Sequence, residues 1–123
     1  MRRDGRFKTF DGTTRLVAGV KSRPSRGHTA RHPNYVVESN AERLLRLGDL
    51  MHVAAAQFAE SAVTFNVDVD SQAVARERKL ADADAIRNGY WVGVAHVAFP
   101  GLGHLRSEGT GYLWIPANDT SLR

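Results

Sequence analysis

The chain has 123 residues, enough for one modest domain, and its apolar fraction of 42% is typical of a globular protein. Because it contains no cysteine, disulfides, thiol nucleophiles and cysteine-based zinc sites are excluded. No apolar run approaches the roughly 20 residues that cross a bilayer, and no apolar segment follows the basic N-terminus. We therefore expect neither a membrane span nor a signal peptide, and we assign the chain to the cytoplasm.

The positive charge is concentrated in the first quarter of the chain. Residues 1–31 hold nine Lys or Arg and two Asp, a balance of +7, whereas the remainder balances at −3 and brings the net charge to +4. A basic arm on a mildly acidic body is typical of a protein that binds a polyanion, most often nucleic acid. A solvated leader that keeps the protein soluble would show the same pattern. The residues expected to contact phosphate are Arg15, Lys21, Arg23, Arg26 and Arg31.

The first predicted elements are a flexible basic leader over residues 1–12, a short strand over 13–20 and a loop over 22–33. An extended segment then leads into a predicted helix that begins at Ser39. Ser39 and Glu42 match a capping box, in which the Ser hydroxyl and the Glu carboxylate satisfy the first free N–H groups of a helix. The apolar face of this helix would consist of Leu44, Leu45 and Leu47.

Downstream, strict alternation of apolar and polar residues over 63–70 predicts a half-buried strand. A second helix is predicted over Gln72–Arg87, after Ser71 as its cap and before a stop at Asn88-Gly89. An apolar run over 90–99 predicts a strand that is covered on both faces, and Tyr112–Ile115 predicts the last strand. The order β–α–β–α–β–β predicts a small single α/β or α+β domain over residues 13–123, with about two helices packed on a short mixed β-sheet.

The histidines are scattered along the sequence. His28 and His32 are four residues apart, a spacing that suits two metal ligands on a helix, but they lie in a predicted loop. His96 lies within the predicted strand over 90–99, which favours a hydrogen-bonded core histidine over a metal ligand.

The carboxylates suggest metal-dependent hydrolysis of phosphodiesters. That reaction needs two or three carboxylates on Mg²⁺ and a Lys that holds the attacking water. The predicted metal ligands are Glu42, Asp68 and Asp70, and the predicted catalytic residues are Glu42, Asp70 and Lys79. Glu77 and Lys79 lie two apart in a predicted helix, where such positions do not share a face, so a solvated helix surface is the alternative.

Several segments between Gly19 and Phe65 resemble one family of nucleases. They are a basic loop over 21–26, the Glu38–Glu42 entry to a Leu-rich helix, and the pattern Asp49-x-x-x-Val53 followed by Gln57 and then by Val63-Thr64-Phe65. This combination resembles the N-terminal catalytic domain of TnsA-like transposon endonucleases, which belong to the PD-(D/E)XK superfamily. The resemblance implies that Glu42 is a metal-site residue and that Gln57 occupies a recurrent position. The family's strand with an acid-x-Lys motif is missing, which implies a shortened or divergent member.

The sequence therefore favours a DNA-binding protein that resembles a magnesium-dependent transposon or phage-type endonuclease, either active or inactive. Its expected partners are DNA, more than RNA, and other transposition or phage proteins. The alternatives are a non-catalytic nucleic-acid-binding accessory protein and a protein-interaction module of a mobile element or phage.

Overall fold

A computed structural model describes residues 7–118 of the chain. It shows a seven-stranded sheet in which the strands lie side by side in chain order. All neighbouring strands pair antiparallel except β4 and β5, which are parallel. The strands are β1 (Arg15–Val17), β2 (Val20–Pro24), β3 (Pro33–Ser39), β4 (Glu42–Arg46), β5 (Trp91–Gly93), β6 (Leu102–Glu108) and β7 (Gly111–Pro116).

The segment around Ser39 is a β-hairpin, so the predicted helix there is wrong. Ser39 pairs with Glu42 across a two-residue turn, and the pairing continues along β3 and β4. The turn residues Asn40 and Ala41 have φ values of 49° and 65°, the left-handed conformation that two-residue hairpin turns require. The capping-box residues were misleading because Ser and Glu three positions apart also fit the two ends of this turn.

The connection from β4 to β5 contains all the helices within residues 7–118. A 3-10 turn over Gly48–Leu50 and the short helix α1 (Ala54–Gln57) come first, and the long helix α2 (Ser71–Asn88) follows. The prediction of a helix over Gln72–Arg87 is confirmed, although the capping residue is Asp70, whose side chain accepts a hydrogen bond from Ala73 N. The helix ends at Gly89, which adopts the left-handed conformation.

The predicted strand over residues 63–70 is wrong, because this segment is an irregular loop between α1 and α2. Val67 and Val69 are exposed to solvent rather than half-buried. The loop is held by side chains and by backbone hydrogen bonds to the β2–β3 loop. The Val63 carbonyl accepts from Gln57 and Arg78, and the Asp68 carboxylate accepts from Phe65 N.

The last third of the chain differs from the prediction in its strand boundaries. The strand predicted over 90–99 is limited to Trp91–Gly93, and an irregular loop with a strongly exposed Phe99 follows it. β6 was not predicted, since no strand was expected between residue 99 and Tyr112. The prediction of a final strand is confirmed by β7, which pairs with β6 through a tight turn. The predicted element order is therefore wrong.

Helix α2 packs on one face of the sheet and closes the hydrophobic core. Val74, Ala81 and Ala85 of α2 lie in one buried cluster with Leu45 of β4 and Val92 of β5. Each fully buried valine or leucine side chain of this cluster contributes about 2 kcal/mol through the hydrophobic effect. The prediction of a small single domain with helices on a mixed sheet is confirmed.

The predicted leader lies partly outside the described residues, and the division at residue 12 stays a prediction. In its described part, the Gly12 carbonyl accepts a hydrogen bond from the buried hydroxyl of Ser22. None of the helices within residues 7–118 is long and apolar enough to span a bilayer.

Candidate metal centre

Three side chains converge at the carboxyl ends of the two parallel strands. Asp49 lies in the 3-10 turn after β4, His52 follows it, and His96 lies in the loop after β5. Their candidate ligand atoms all lie within 4.8 Å of one another. The carboxyl ends of parallel strands point to the same edge of a sheet, so the β4–β5 pairing brings together residues that are 47 positions apart in sequence.

Asp49 is oriented by the loop between β2 and β3. Its backbone N–H donates to His32 Nε2 at 3.0 Å, and His32 Nδ1 donates to the Ser25 carbonyl at 3.0 Å. A ring that accepts at one nitrogen and donates at the other is neutral, and burial lowers the pKa of His32 accordingly. The buried His32 ring therefore fixes the start of the segment that carries Asp49 and His52.

His28 lies beside Asp49 and belongs to the same cluster. Its Nε2 atom is 3.7 Å from Asp49 Oδ2, and its Nδ1 atom is 3.0 Å from Asp68 Oδ1. A carboxylate can only accept, so Nδ1 carries a proton, and Nε2 is the ring nitrogen that faces Asp49. A carboxylate behind a histidine is the usual arrangement for metal-binding imidazoles, because it fixes both the tautomer and the orientation of the ring.

The remaining contacts favour an ionised Asp49 carboxylate and a neutral His52 ring. His96 Nε2 hydrogen-bonds Asp49 Oδ1 at 2.8 Å, and this bond is the main reason why the pKa of Asp49 is lowered. The His52 ring stacks on that of His96 with centroids 4.9 Å apart. Burial lowers the pKa of His52, and the nearby His96 and His28 lower it further. The cluster thus combines an ionised carboxylate with an imidazole that favours its neutral form.

These residues fit a transition-metal ion. Imidazole nitrogens with one or two carboxylate oxygens are the donors that zinc prefers. The buried His52 Nδ1 atom has no hydrogen-bond partner within residues 7–118, as expected for a nitrogen whose partner would be a metal ion. The two oxygens of Asp49 face different histidines, His96 and His28. The structure thus supports a histidine–aspartate metal site.

The structure does not bring the predicted catalytic residues into one cleft. Asp70 caps the first turn of α2, whereas Glu42 lines a groove next to Asn88 and Gly89 at its other end. A helix of 18 residues is about 27 Å long, which separates the two carboxylates by a similar distance. Lys79 is exposed in the middle of α2, about 13 Å along the helix axis from Asp70. Of the predicted metal ligands, Asp68 alone adjoins the cluster, as the hydrogen-bond partner of His28.

The predicted phosphate contacts are largely engaged in ion pairs. Lys21 pairs with Glu38 at 3.1 Å, and Arg23 pairs with Asp84 of α2 at 2.6 Å. The remaining three are Arg15 on β1, Arg26 in the β2–β3 loop, and Arg31, which lies 3.7 Å from Asp11. Their contact with nucleic acid stays a prediction.

The sequence contained one usable indication of the real site. Asp49 lies just after the Leu-rich stretch over 44–47, and His96 lies near the end of the apolar run over 90–99, so both lie close to the ends of runs that form strands. With β4 interpreted as a helix, that common position was hidden.

The sequence matches no protein-family profile and no curated protein. Solved structures do match. AidC, a dizinc quorum-quenching lactonase, superposes with a TM-score of 0.84 and 24% identity over 90% of this chain and 38% of its own. Hydrolase AbOPH of the β-lactamase superfamily has a TM-score of 0.78 and 29% identity over 83% of this chain and 35% of its own. A probable metal-dependent hydrolase from Staphylococcus aureus has a TM-score of 0.64 and 23% identity over 71% of this chain and 31% of its own.

The chain has part of the β-lactamase-superfamily hydrolase fold. It spans little more than a third of the length of the solved structures that it matches. The resemblance to TnsA-like transposon endonucleases is therefore wrong, and so is the DNA-binding endonuclease function inferred from it, because the matching structures are lactonases and a β-lactamase-superfamily hydrolase rather than DNA endonucleases.

Proposed function

We propose that this chain carries the metal-binding region of a zinc-dependent hydrolase that opens carboxylic esters of the lactone type. The observation that carries the proposal is the convergence of Asp49, His52 and His96 within 4.8 Å, with His28 at its side. Two further observations support it: AidC is a dizinc lactonase, and another matching structure is an N-acyl homoserine lactone hydrolase with its product at a catalytic metal centre.

The donor set favours zinc over the predicted magnesium. Magnesium prefers oxygen ligands in an octahedral arrangement, whereas this cluster offers mainly imidazole nitrogens. His28, Asp49, His52 and His96 are the residues that would hold the ion. When bound, a zinc ion supplies Lewis-acid polarisation of an ester carbonyl and makes water more acidic.

The chain's own residues would have defined tasks. The Asp68 carboxylate keeps the proton on His28 Nδ1 and leaves Nε2 free to bind. The His32 ring holds the Asp49 backbone, so that the carboxylate stays directed at the cluster. The partly exposed side chains of Asp49 and His96 keep the site open to a substrate from solvent.

Zinc titration of the purified chain tests the proposal directly. We expect the wild-type chain to bind zinc, and His96→Ala or Asp49→Asn to raise the dissociation constant at least tenfold. His104→Ala is the matched control, since His104 contacts Trp91 and the Tyr90 carbonyl outside the cluster and should leave zinc affinity unchanged. Equal affinities in all four proteins, or no binding by wild type, would refute the site.

Activity is measured with the zinc-loaded chain and an N-acyl homoserine lactone, by following acid release at constant pH. We expect ring opening that a chelator abolishes and that zinc restores. Zinc binding without any ring opening would contradict the substrate class and leave the metal site in place.

A further inference from the structure

The segment between Asp49 and Val53 carries two candidate ligands but belongs to no strand and only in part to a 3-10 turn. Its shape is set by side chains from elsewhere in the chain. Gln57 of α1 is fully buried, and its Oε1 atom accepts hydrogen bonds from His52 N at 2.7 Å and Val53 N at 2.9 Å. Its Nε2 atom donates to the Val63 carbonyl at 3.1 Å. One amide therefore joins the ligand segment to the α1–α2 loop.

A second buried side chain also holds this segment. Arg78 of α2 is fully buried, and its Nε atom donates to the Leu50 carbonyl at 2.8 Å. Its Nη1 atom donates to the carbonyls of Ser61 and Val63 at 2.8 Å and 2.7 Å. The rigid fork of a guanidinium can hold several carbonyls at fixed angles, which a lysine cannot do.

The two side chains share the Val63 carbonyl and so form one buried polar network behind the metal centre. Leu50, whose carbonyl the network holds, lies directly between Asp49 and the residues that lead to His52. Burying a charged guanidinium and a primary amide in a small core costs free energy. The hydrogen bonds of Gln57 and of Arg78 Nε and Nη1 offset part of this cost, whereas Arg78 Nη2 has no partner within residues 7–118. Apolar residues of similar volume would fill this space without that cost. The polar pair therefore indicates that the backbone between Asp49 and Val53 has to be held in one conformation.

We propose that Gln57 and Arg78 are positioning residues that hold Asp49 and His52 in the metal-binding arrangement without touching the ion themselves. The inference rests on the metal site of the proposed function. Residues behind metal ligands typically change metal affinity 10- to 100-fold when they are substituted, because ligands that sample several orientations must be ordered on binding.

Matched variants separate positioning from general stability. Gln57→Leu removes both hydrogen-bonding groups at similar volume, and Gln57→Glu keeps the acceptor beside the Arg78 cation. Arg78→Lys keeps the positive charge but loses the fork. Ser22→Ala is the structural control, because Ser22 is also fully buried and hydrogen-bonds Gly12 and Thr14 away from the cluster.

The readouts are the zinc dissociation constant from competition with a chromophoric chelator, urea unfolding of the metal-free chain, and amide hydrogen exchange of His52 and Val53. We expect zinc affinity to fall about 10- to 100-fold in Gln57→Leu and about 10-fold in Arg78→Lys, and to stay within about threefold in Gln57→Glu. The His52 and Val53 amides should exchange faster in Gln57→Leu and remain protected in Gln57→Glu. Ser22→Ala should lose stability with zinc affinity unchanged.

Two results would overturn the proposal, and each identifies what has failed. If wild type binds zinc and the Gln57→Leu and Arg78→Lys chains bind it as tightly, the positioning role fails and the metal site stands. If wild type binds no zinc, the proposed function fails and the positioning role fails with it. Should Gln57→Leu not fold, Arg78→Lys and Gln57→Glu provide the same comparison.

Discussion

Substitution of Ala41 by glycine tests the hairpin that replaced the predicted helix. Ala41 has a φ of 65°, and an alanine in the left-handed region costs about 1–2 kcal/mol. Glycine removes this cost but loses about 0.4–1 kcal/mol more conformational entropy on folding. We therefore expect Ala41→Gly to increase the free energy of unfolding by about 1 kcal/mol. In a helix the same substitution would decrease it by up to about 1 kcal/mol, so the two structures predict opposite signs.

The assay is urea unfolding followed by circular dichroism, with the midpoint and the slope fitted separately. Ala83→Gly is the matched control, because Ala83 lies in the middle of α2 and should lose about 1 kcal/mol. The two alanine-to-glycine variants should thus move the midpoint in opposite directions at an unchanged slope. A loss of stability in both would refute the turn at Asn40-Ala41.

Three further predictions concern the buried carboxylate, the site and the surface. Burial raises the pKa of Asp82 to about 7, so the folded chain retains a proton that the unfolded chain releases near pH 4. The free energy of unfolding should therefore fall as the pH rises from about 4 to about 7, by up to about 4 kcal/mol relative to Asp82→Asn in urea unfolding. Parallel pH profiles of the two proteins would contradict this. Gly48→Ala should cost about 2 kcal/mol or more and weaken zinc binding, because Gly48 has a φ of 59° and its new Cβ would lie 2.8 Å from His32 Nε2. Gly109→Ala, with a φ of 57° and open space around it, should cost the backbone penalty alone and leave zinc affinity intact. Glu42→Gln should leave zinc affinity unchanged in the same titration, since Glu42 lies at the far end of α2 from the Asp70 cap, and a tenfold loss would reinstate its predicted role as a ligand.

The elements that could be predicted from the sequence are those whose ends are marked by residues within the element or next to it. Helix α2 was predictable because a polar residue caps its start and Gly89 adopts the left-handed conformation at its end. β7 was predictable because a compact apolar run is bounded by turn residues and proline. Both predictions depend on interactions within a few residues of the element.

The hairpin and the metal centre depend on pairing between distant residues. Leu44, Leu45 and Leu47 fit a helical face as well as they fit a strand, and only the pairing of β4 with β3 and β5 decides between the two. Asp49 and His96 meet because β4 and β5 are parallel, a choice of neighbours that composition does not encode. Asp68 was predicted as a ligand, but its place behind His28 depends on a loop whose shape is set by Arg78.

The parallel pairing of β4 and β5 has a consequence for folding. The whole connection that contains α1 and α2 leaves the sheet just before Asp49 and returns just before His96. An ion bound between these two residues would act as a reversible cross-link between the two ends of this connection. At a free metal concentration 100 times the dissociation constant, the bound ion would add about 2.7 kcal/mol to the stability of the folded chain. Removing the metal would then loosen the connection first, before the strands on either side of it separate.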